Sequence, residues 1–108
     1  HYADEGFDLV LTTGGTGLTP DDVTPEATLA AIDRELPGIA EALRAESLKH
    51  TPMGMLSRGV AGLVGRTLVV NLPGSTKALD QLFPVLAPVL RHAVGTAHRQ
   101  DGQRHDAV

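Results

Sequence analysis

The chain has 108 residues, 42% of them hydrophobic, a formal net charge of −4 and no cysteine. This length allows one domain with a real core, and the composition is typical of a soluble globular protein. The lack of cysteine excludes disulfides and thiolate metal sites. The sequence has no run of basic residues and only 3% aromatic residues, so nucleic acid is not an expected partner. No apolar run approaches the roughly 20 residues that cross a bilayer, so we expect a cytoplasmic protein without a membrane partner.

The first distinctive stretch is an apolar run that ends in glycines. Leu9–Leu11 lacks polar alternation, which is typical of a strand covered on both faces in a parallel sheet. The turn Gly14–Gly17 follows and lets backbone N–H groups approach an anion. Its spacing matches neither the P-loop nor the dinucleotide signature. A plain tight turn is the alternative, but the hydroxyls of Thr12, Thr13 and Thr16 add donors and favour phosphate binding.

Two carboxylates, Asp21 and Asp22, follow this turn. A carboxylate beside a bound phosphate would repel it unless a cation lay between them, and Mg²⁺ typically bridges such groups. The alternative is a capping or dipole role at the start of a helix. Thr24 and Pro25 predict that start, with a hydroxyl at the N-cap and proline at the first helical position. Spacing alone leaves both readings open.

The middle of the chain predicts helices separated by proline and glycine. Apolar residues at helical spacing indicate one helix from Thr24 to Leu36 and a second that begins at Pro37. Glycines interrupt residues 50–65 too often for a regular helix. We therefore expect a short helix at Met53–Ser57 and a loop after it.

A second buried strand, Thr67–Asn71, ends in Leu72-Pro73-Gly74-Ser75 and repeats the first pattern. The carboxyl ends of parallel strands share one sheet edge, so both glycine turns are expected to line one pocket. Ser75 is suited to N-cap the next helix. Pro84 and Pro88 predict that this helix is interrupted after about residue 83 and bent near residue 88.

Three more side chains are candidates for anion binding. Ser57 and Arg58 lie in the glycine-rich segment, and Lys77 lies in the first turn of the last helix. A cation there opposes the helix dipole, so Lys77 suits an anionic ligand better than helix stability. A solvated surface lysine is the commoner alternative. The histidines lack metal-ligand spacing and are assigned no role.

Five motifs follow one another along the chain: Thr12–Gly17, Asp21–Thr28, Pro37-Gly38, Leu56–Gly59 and Asn71–Ser75. In this order they resemble the MogA/MoaB family of molybdopterin-binding proteins. The resemblance implies an α/β fold, three-layer α/β/α with a mostly parallel sheet, whose N-terminal strands are missing from the given chain. The expected organisation is residues 1–94 as the C-terminal part of a single molybdopterin-binding domain and residues 95–108 as a disordered polar tail. Residues 1–6 are expected to be the frayed end of a preceding helix.

The resemblance also implies an activity. Enzymatic members are molybdopterin adenylyltransferases, which transfer AMP from ATP to the terminal phosphate of molybdopterin, with Mg²⁺, in molybdenum cofactor biosynthesis. Asp22 matches the family's catalytic, magnesium-associated aspartate. The resemblance assigns substrate or nucleotide binding to Gly14, Gly15, Thr16, Gly17, Ser57, Arg58, Pro73, Gly74 and Ser75. We add Thr13, Asp21 and Lys77 to the expected binding residues because of their hydroxyl, carboxylate and ammonium groups.

Departures from the family pattern keep alternatives open. Another aspartate loop that helps form the site precedes residue 1 in the family, and Thr76 stands where many relatives have proline. The expected partners are molybdopterin and ATP, a homotrimer, and a molybdate insertase that receives the product. The alternatives are a related molybdate insertase and a non-catalytic molybdopterin-binding or scaffolding module.

Overall fold

A computed structural model describes residues 8–97 of the chain, which form one sheet and the helices around it. The elements in chain order are β1 (Leu9–Thr13), α1 (Thr24–Ala31), β2 (Arg34–Glu35), α2 (Pro37–His50), a 3-10 helix (Pro52–Leu56), β3 (Ala61–Val64), β4 (Thr67–Leu72) and α3 (Thr76–Ala97). The predictions for residues 1–6 and 98–108 lie outside the described residues.

The described part of the sheet has the strand order β1-β4-β3-β2. β1 and β4 form the parallel pair that the sequence predicted, with Thr13 opposite Leu72. β3 is antiparallel to both β4 and β2, so the loop predicted after residue 57 is wrong over Ala61–Val64. Gly65, with φ +59°, supplies the left-handed residue that the tight turn between β3 and β4 needs. The glycine that interrupts the apolar pattern is therefore part of a hairpin.

Helices cover both faces of the sheet, which confirms the α/β class. On one face, Leu68 and Val70 of β4 pack against Leu82 and Leu86 of α3, and Leu43 of α2 joins the same core. Side chains of a strand alternate between faces, and α1 contacts β4 on the opposite side. The three-layer arrangement follows from this alternation.

Two predicted boundaries of α1 are wrong. The helix ends at Ala31 rather than at residue 36, because Ile32 is extended (φ −78°, ψ 147°) and Arg34 pairs with β3. The apolar residues that suggested a longer helix continue beyond Ala31, into the segment that leaves α1 and joins the sheet. Thr24 is the first helical residue and Val23 the N-cap, one position earlier than predicted.

The predicted interruption of α3 is also wrong, because Thr76–Ala97 is one helix that includes Pro84 and Pro88. A proline in a helix costs about 3 kcal/mol. The stripe of α3 that faces the sheet offsets this cost, since Leu82 and Leu86 are each only 2% exposed and both prolines lie on the outside. The predicted tail begins too early, because residues 95–97 belong to α3. Within residues 8–97, no helix has the length and apolarity to cross a membrane.

Candidate functional site

The two glycine turns lie side by side at the carboxyl ends of β1 and β4. The N–H of Gly14 donates to the carbonyl of Leu72 across 2.9 Å. A Cβ on Gly74 would come within 3.2 Å of the Cα of Gly14, closer than side chains normally approach. This close approach favours glycine at residue 74, and it brings the two predicted junctions together at one sheet edge.

Glycine is also required inside the first turn. Gly14 and Gly15 have φ values of +86° and +71°, a region that side chains disfavour. A Cβ on Gly15 would overlap the hydroxyl of Thr24, and the N–H of Thr24 donates to the carbonyl of Gly15 at 3.1 Å. A Cβ on Gly17 would lie 2.9 Å from Oδ2 of Asp22. The turn is thus wrapped tightly against the start of α1.

Asp22 closes the end of this turn with its carboxylate. Its Oδ2 accepts hydrogen bonds from the hydroxyl of Thr19 at 2.8 Å and from the N–H of Thr19 at 3.0 Å. These two hydrogen bonds, the hydroxyl first, lower the pKa of Asp22, and the charge of Arg58 adds to the effect. Because this pKa is lowered, the carboxylate is ionised at neutral pH. α1 has no side-chain hydrogen bond at its N-cap, so Asp22 caps its own turn rather than the helix.

The residues around Asp22 set limits on a metal site. Within residues 8–97, no three side chains of histidine, cysteine, aspartate or glutamate lie close enough together to hold a metal ion by themselves. Mg²⁺, however, is commonly bound by one or two carboxylates together with substrate phosphates. An ionised Asp22 beside a turn of backbone N–H groups fits that mode of binding. The assignment of Mg²⁺ to Asp22 stays a prediction.

Arg58 joins the glycine-rich segment to the first turn. Its backbone N–H donates to the carbonyl of Thr16 at 2.9 Å. Its guanidinium donates to the carbonyl of Gly17 at 2.7 Å and to that of Asp22 at 2.5 Å, and pairs with the carboxylate of Glu26. Hydrogen bonding between the partners raises the pKa of Arg58 and lowers the pKa of Glu26. Arg58 thus lies against the first turn, and the substrate-binding roles of Ser57 and Arg58 stay predictions.

Asn71 is a functional candidate that the sequence reasoning missed. It is 4% exposed, and its amide donates to the hydroxyls of Thr12 in β1 and Thr28 in α1, each at 2.9 Å. Its Oδ1 accepts from the N–H of Val60 at 3.1 Å. The signal was available, because a single polar residue inside a buried apolar strand requires hydrogen-bond partners. Asn71 ties three elements together beneath the glycine turns.

The remaining predicted residues lie at the rim. Ser75 accepts a hydrogen bond at Oγ from the N–H of Ala78 at 3.2 Å, which confirms its predicted capping role. Pro73 is half-buried, and Thr13 is exposed at the end of β1. Asp21 and Lys77 are exposed and take no part in the hydrogen bonds that join the loops within residues 8–97.

A cavity of about 560 Å³ lies between α1 and the sheet, beside the glycine turns rather than between them. Its walls are mostly aliphatic side chains and threonine methyl groups. It is lined by Val10, Thr12, Val23, Thr24, Ala27, Thr28, Ala31, Ile32, Val64 and Val69. An apolar lining of this kind does not suit a phosphate, and the anion site at the turns stays a prediction.

Comparison with known proteins gives the family. Residues 1–92 match the family described as a probable molybdopterin binding domain. The chain belongs to the MogA/MoaB family. It is 51% identical over 73 residues to the molybdopterin adenylyltransferase of Escherichia coli K12, which covers 68% of this chain and 37% of that protein. It is 47% identical over 90 residues to the molybdenum cofactor synthesis protein cinnamon of Drosophila melanogaster, covering 83% and 15%.

Solved structures of the family have the same fold. The molybdopterin biosynthesis Mog protein of Mycobacterium ulcerans superposes with a TM-score of 0.85 at 45% identity, covering 88% of this chain and 62% of that one. MoaB of Thermus thermophilus gives a TM-score of 0.81 at 56% identity, covering 89% and 61%. The chain spans less than two thirds of the length of each relative named here.

Proposed function

We propose that the protein to which this chain belongs is a molybdopterin adenylyltransferase of molybdenum cofactor biosynthesis. The proposal rests on one observation above others: two glycine turns touch at Gly14 and Gly74, and the ionised carboxylate of Asp22 stands at the end of the first. In phosphoryl transfer, a protein acts mainly by positioning the reactants and stabilising the charge of the transition state. Relatives at 42–51% identity bear the name of this enzyme, which supports the same choice.

In the proposed reaction, an oxygen of the terminal phosphate of molybdopterin attacks the α-phosphorus of ATP. The bond to the β-phosphate oxygen breaks, so the products are adenylylated molybdopterin and pyrophosphate. The N–H of Gly14 is already bound to Leu72, so the backbone N–H groups of Gly15–Gly17 and of Gly74–Ser75 would bind phosphate oxygens as charge develops. Asp22 would hold Mg²⁺, whose charge would offset the repulsion between the carboxylate and the phosphates.

The remaining assignments belong to the same proposal. Ser57 and Pro73 would line the pocket, and Thr13, Asp21 and Lys77 at its rim would contact the substrates. The active form would be a homotrimer in the cytoplasm that passes its product to a molybdate insertase. These assignments come from the family resemblance and from the position of each residue beside the turns.

An adenylylation assay on the full-length protein tests the proposal. The protein is incubated with molybdopterin, ATP and Mg²⁺, and adenylylated pterin and pyrophosphate are measured. We expect both products from the wild type, and we expect Asp22→Asn to lower kcat at least about 100-fold, the size of effect seen when one electrostatic group is removed from an active site. Molybdopterin binding should persist in that variant.

An exposed carboxylate outside the site provides a matched control. Asp80→Asn removes the same charge from an exposed position of α3, so its kcat should stay near the wild-type value. Molybdopterin binding without product in the folded wild-type protein would favour the non-catalytic binding module. Equal loss of binding and turnover in Asp22→Asn would mean that the carboxylate only shapes the turn.

A further inference from the structure

We infer that Arg58 and Glu26 form a clamp that fixes the first glycine turn, so that Arg58 is a positioning residue for Asp22 rather than a ligand of phosphate. The clamp consists of these two side chains and the backbone carbonyls of Gly17 and Asp22. Neither sequence pattern nor resemblance assigned Glu26 any role. The part of the inference that concerns turnover rests on the proposed function; the part that concerns the turn does not.

The hydrogen bonds of the guanidinium carry the inference. Its Nε donates to Gly17 at 2.7 Å, its Nη2 to the carbonyl of Asp22 at 2.5 Å, and its Nη1 to the carboxylate of Glu26 at 2.5 Å. A guanidinium presents its donors as a rigid planar fork. Because each of its nitrogens is already directed at an acceptor of the protein, little donor capacity remains for a phosphate.

The geometry also indicates what the clamp holds. Asp22 ends the turn that the Thr19–Asp22 hydrogen bonds close, and Gly17 lies two residues before that turn begins. Binding the carbonyls of Gly17 and Asp22 from one planar group fixes the distance between them. The carboxylate of Asp22 is attached directly to the backbone that the guanidinium holds, so its position depends on the clamp.

A second arginine binds the backbone on either side of Arg58. Nη1 of Arg44 in α2 donates to the carbonyl of Gly59 at 2.9 Å and, at a longer 3.4 Å, to that of Ser57. The segment that carries Arg58 is therefore held from α2 while its side chain holds the turn. This connects the position of the turn to the packed side of the molecule.

Glu26 is the partner that can be changed with the least effect on packing. Its side chain is 60% exposed, and that of Arg58 is 34% exposed. Glu26→Gln keeps the size of the side chain and removes the charge that orients the guanidinium. Glu41→Gln, at an exposed position of α2, is the matched control for the loss of one negative charge.

The test uses the full-length protein and two readouts. Without ligand, amide hydrogen exchange of residues 16–22 should rise about threefold in Glu26→Gln, in keeping with the loss of one exposed ion pair, and not in Glu41→Gln. With ATP and molybdopterin, kcat of Glu26→Gln should fall about fivefold while KM stays near the wild-type value. A purely structural defect would instead lower the unfolding midpoint without separating kcat from KM.

Arg58→Lys distinguishes a clamp from a phosphate ligand. Lysine keeps the charge but cannot donate to Gly17, Asp22 and Glu26 at once. The clamp predicts faster exchange in residues 16–22 and a kcat reduced about 100-fold, the effect of a misplaced reacting group. Exchange at the wild-type rate in Glu26→Gln, or wild-type kcat in Arg58→Lys, would overturn the inference. If the wild type forms no adenylylated pterin, the proposed function fails and the exchange data still decide whether the clamp exists.

Discussion

The two faces of the sheet are built in different ways. On the face covered by α2 and α3, Leu68, Val70, Leu82 and Leu86 are almost fully buried and pack against one another. On the face covered by α1, a cavity of about 560 Å³ remains, and the central contact is the hydrogen-bond network of Asn71. Apolar burial is non-directional, whereas hydrogen bonds fix the positions of the groups that they join.

The difference suggests a division of roles within one small fold. The α2–α3 face contains most of the fully buried apolar side chains, and the hydrogen bonds of the α1 face hold the strands beneath the glycine turns. β4 serves both purposes, because alternate residues along it point to opposite faces. Substitutions on the two faces should therefore have different consequences.

The largest effect on stability is expected from the packed face. Leu86→Ala removes a side chain that is 2% exposed, and the remaining cavity and the lost transfer free energy should lower the free energy of unfolding by about 3 kcal/mol. Val89→Ala on the same helix, where the side chain is 47% exposed, should change it by less than about 0.5 kcal/mol. Chemical denaturation of both variants measures the difference, and similar values for the two would contradict the division of roles.

Most of the elements could be predicted because their signals are local. The apolar runs of β1 and β4, Pro37 at the start of α2 and the Ser75 cap of α3 are each contained in a few consecutive residues. β2 and β3 could not be predicted in this way. A Cβ on Gly62 would overlap the carbonyl of Arg34, so this glycine permits a close strand pairing that is visible only once both strands are in place.

The residues of the site show the same difference between local signals and contacts of distant segments. The sequence indicated the glycine turns and Asp22, because turn chemistry depends on neighbouring residues. It could not indicate that Arg58 reaches Gly17, 41 positions away, or Glu26, 32 positions away. Arg44 was equally hidden, since an arginine on a predicted helix face is ordinarily a solvated side chain. Contacts between distant segments determine the geometry of the site.

A smaller effect on stability is expected on the α1 face. Asn71→Ala leaves the N–H of Val60 and the hydroxyls of Thr12 and Thr28 without their partner, which should lower the free energy of unfolding by about 2 kcal/mol. Thr28→Val removes only one acceptor and keeps the volume, so about 1 kcal/mol is expected. Denaturant unfolding compares the two, and turnover should fall in Asn71→Ala because the turns lose their support. An equal cost for both variants would show that Asn71 does not organise the network.

The smallest effect is a dependence on pH at Asp22. The hydrogen bonds from Thr19 hold the pKa of Asp22 below its ordinary value of 3.8. A carboxyl group with a lowered pKa in the folded protein stabilises it fully above the unfolded pKa, and this contribution is lost as the pH falls through the folded pKa. Thr19→Val removes the hydroxyl, the largest cause of the shift, so the pKa of Asp22 should rise. NMR titration of the Asp22 carboxyl measures the change. Thr51→Val, which removes a hydroxyl that caps the 3-10 helix instead, should leave that pKa where it was. If the pKa of Asp22 does not respond to Thr19→Val, the backbone hydrogen bonds and the charge of Arg58, rather than the hydroxyl of Thr19, lower that pKa.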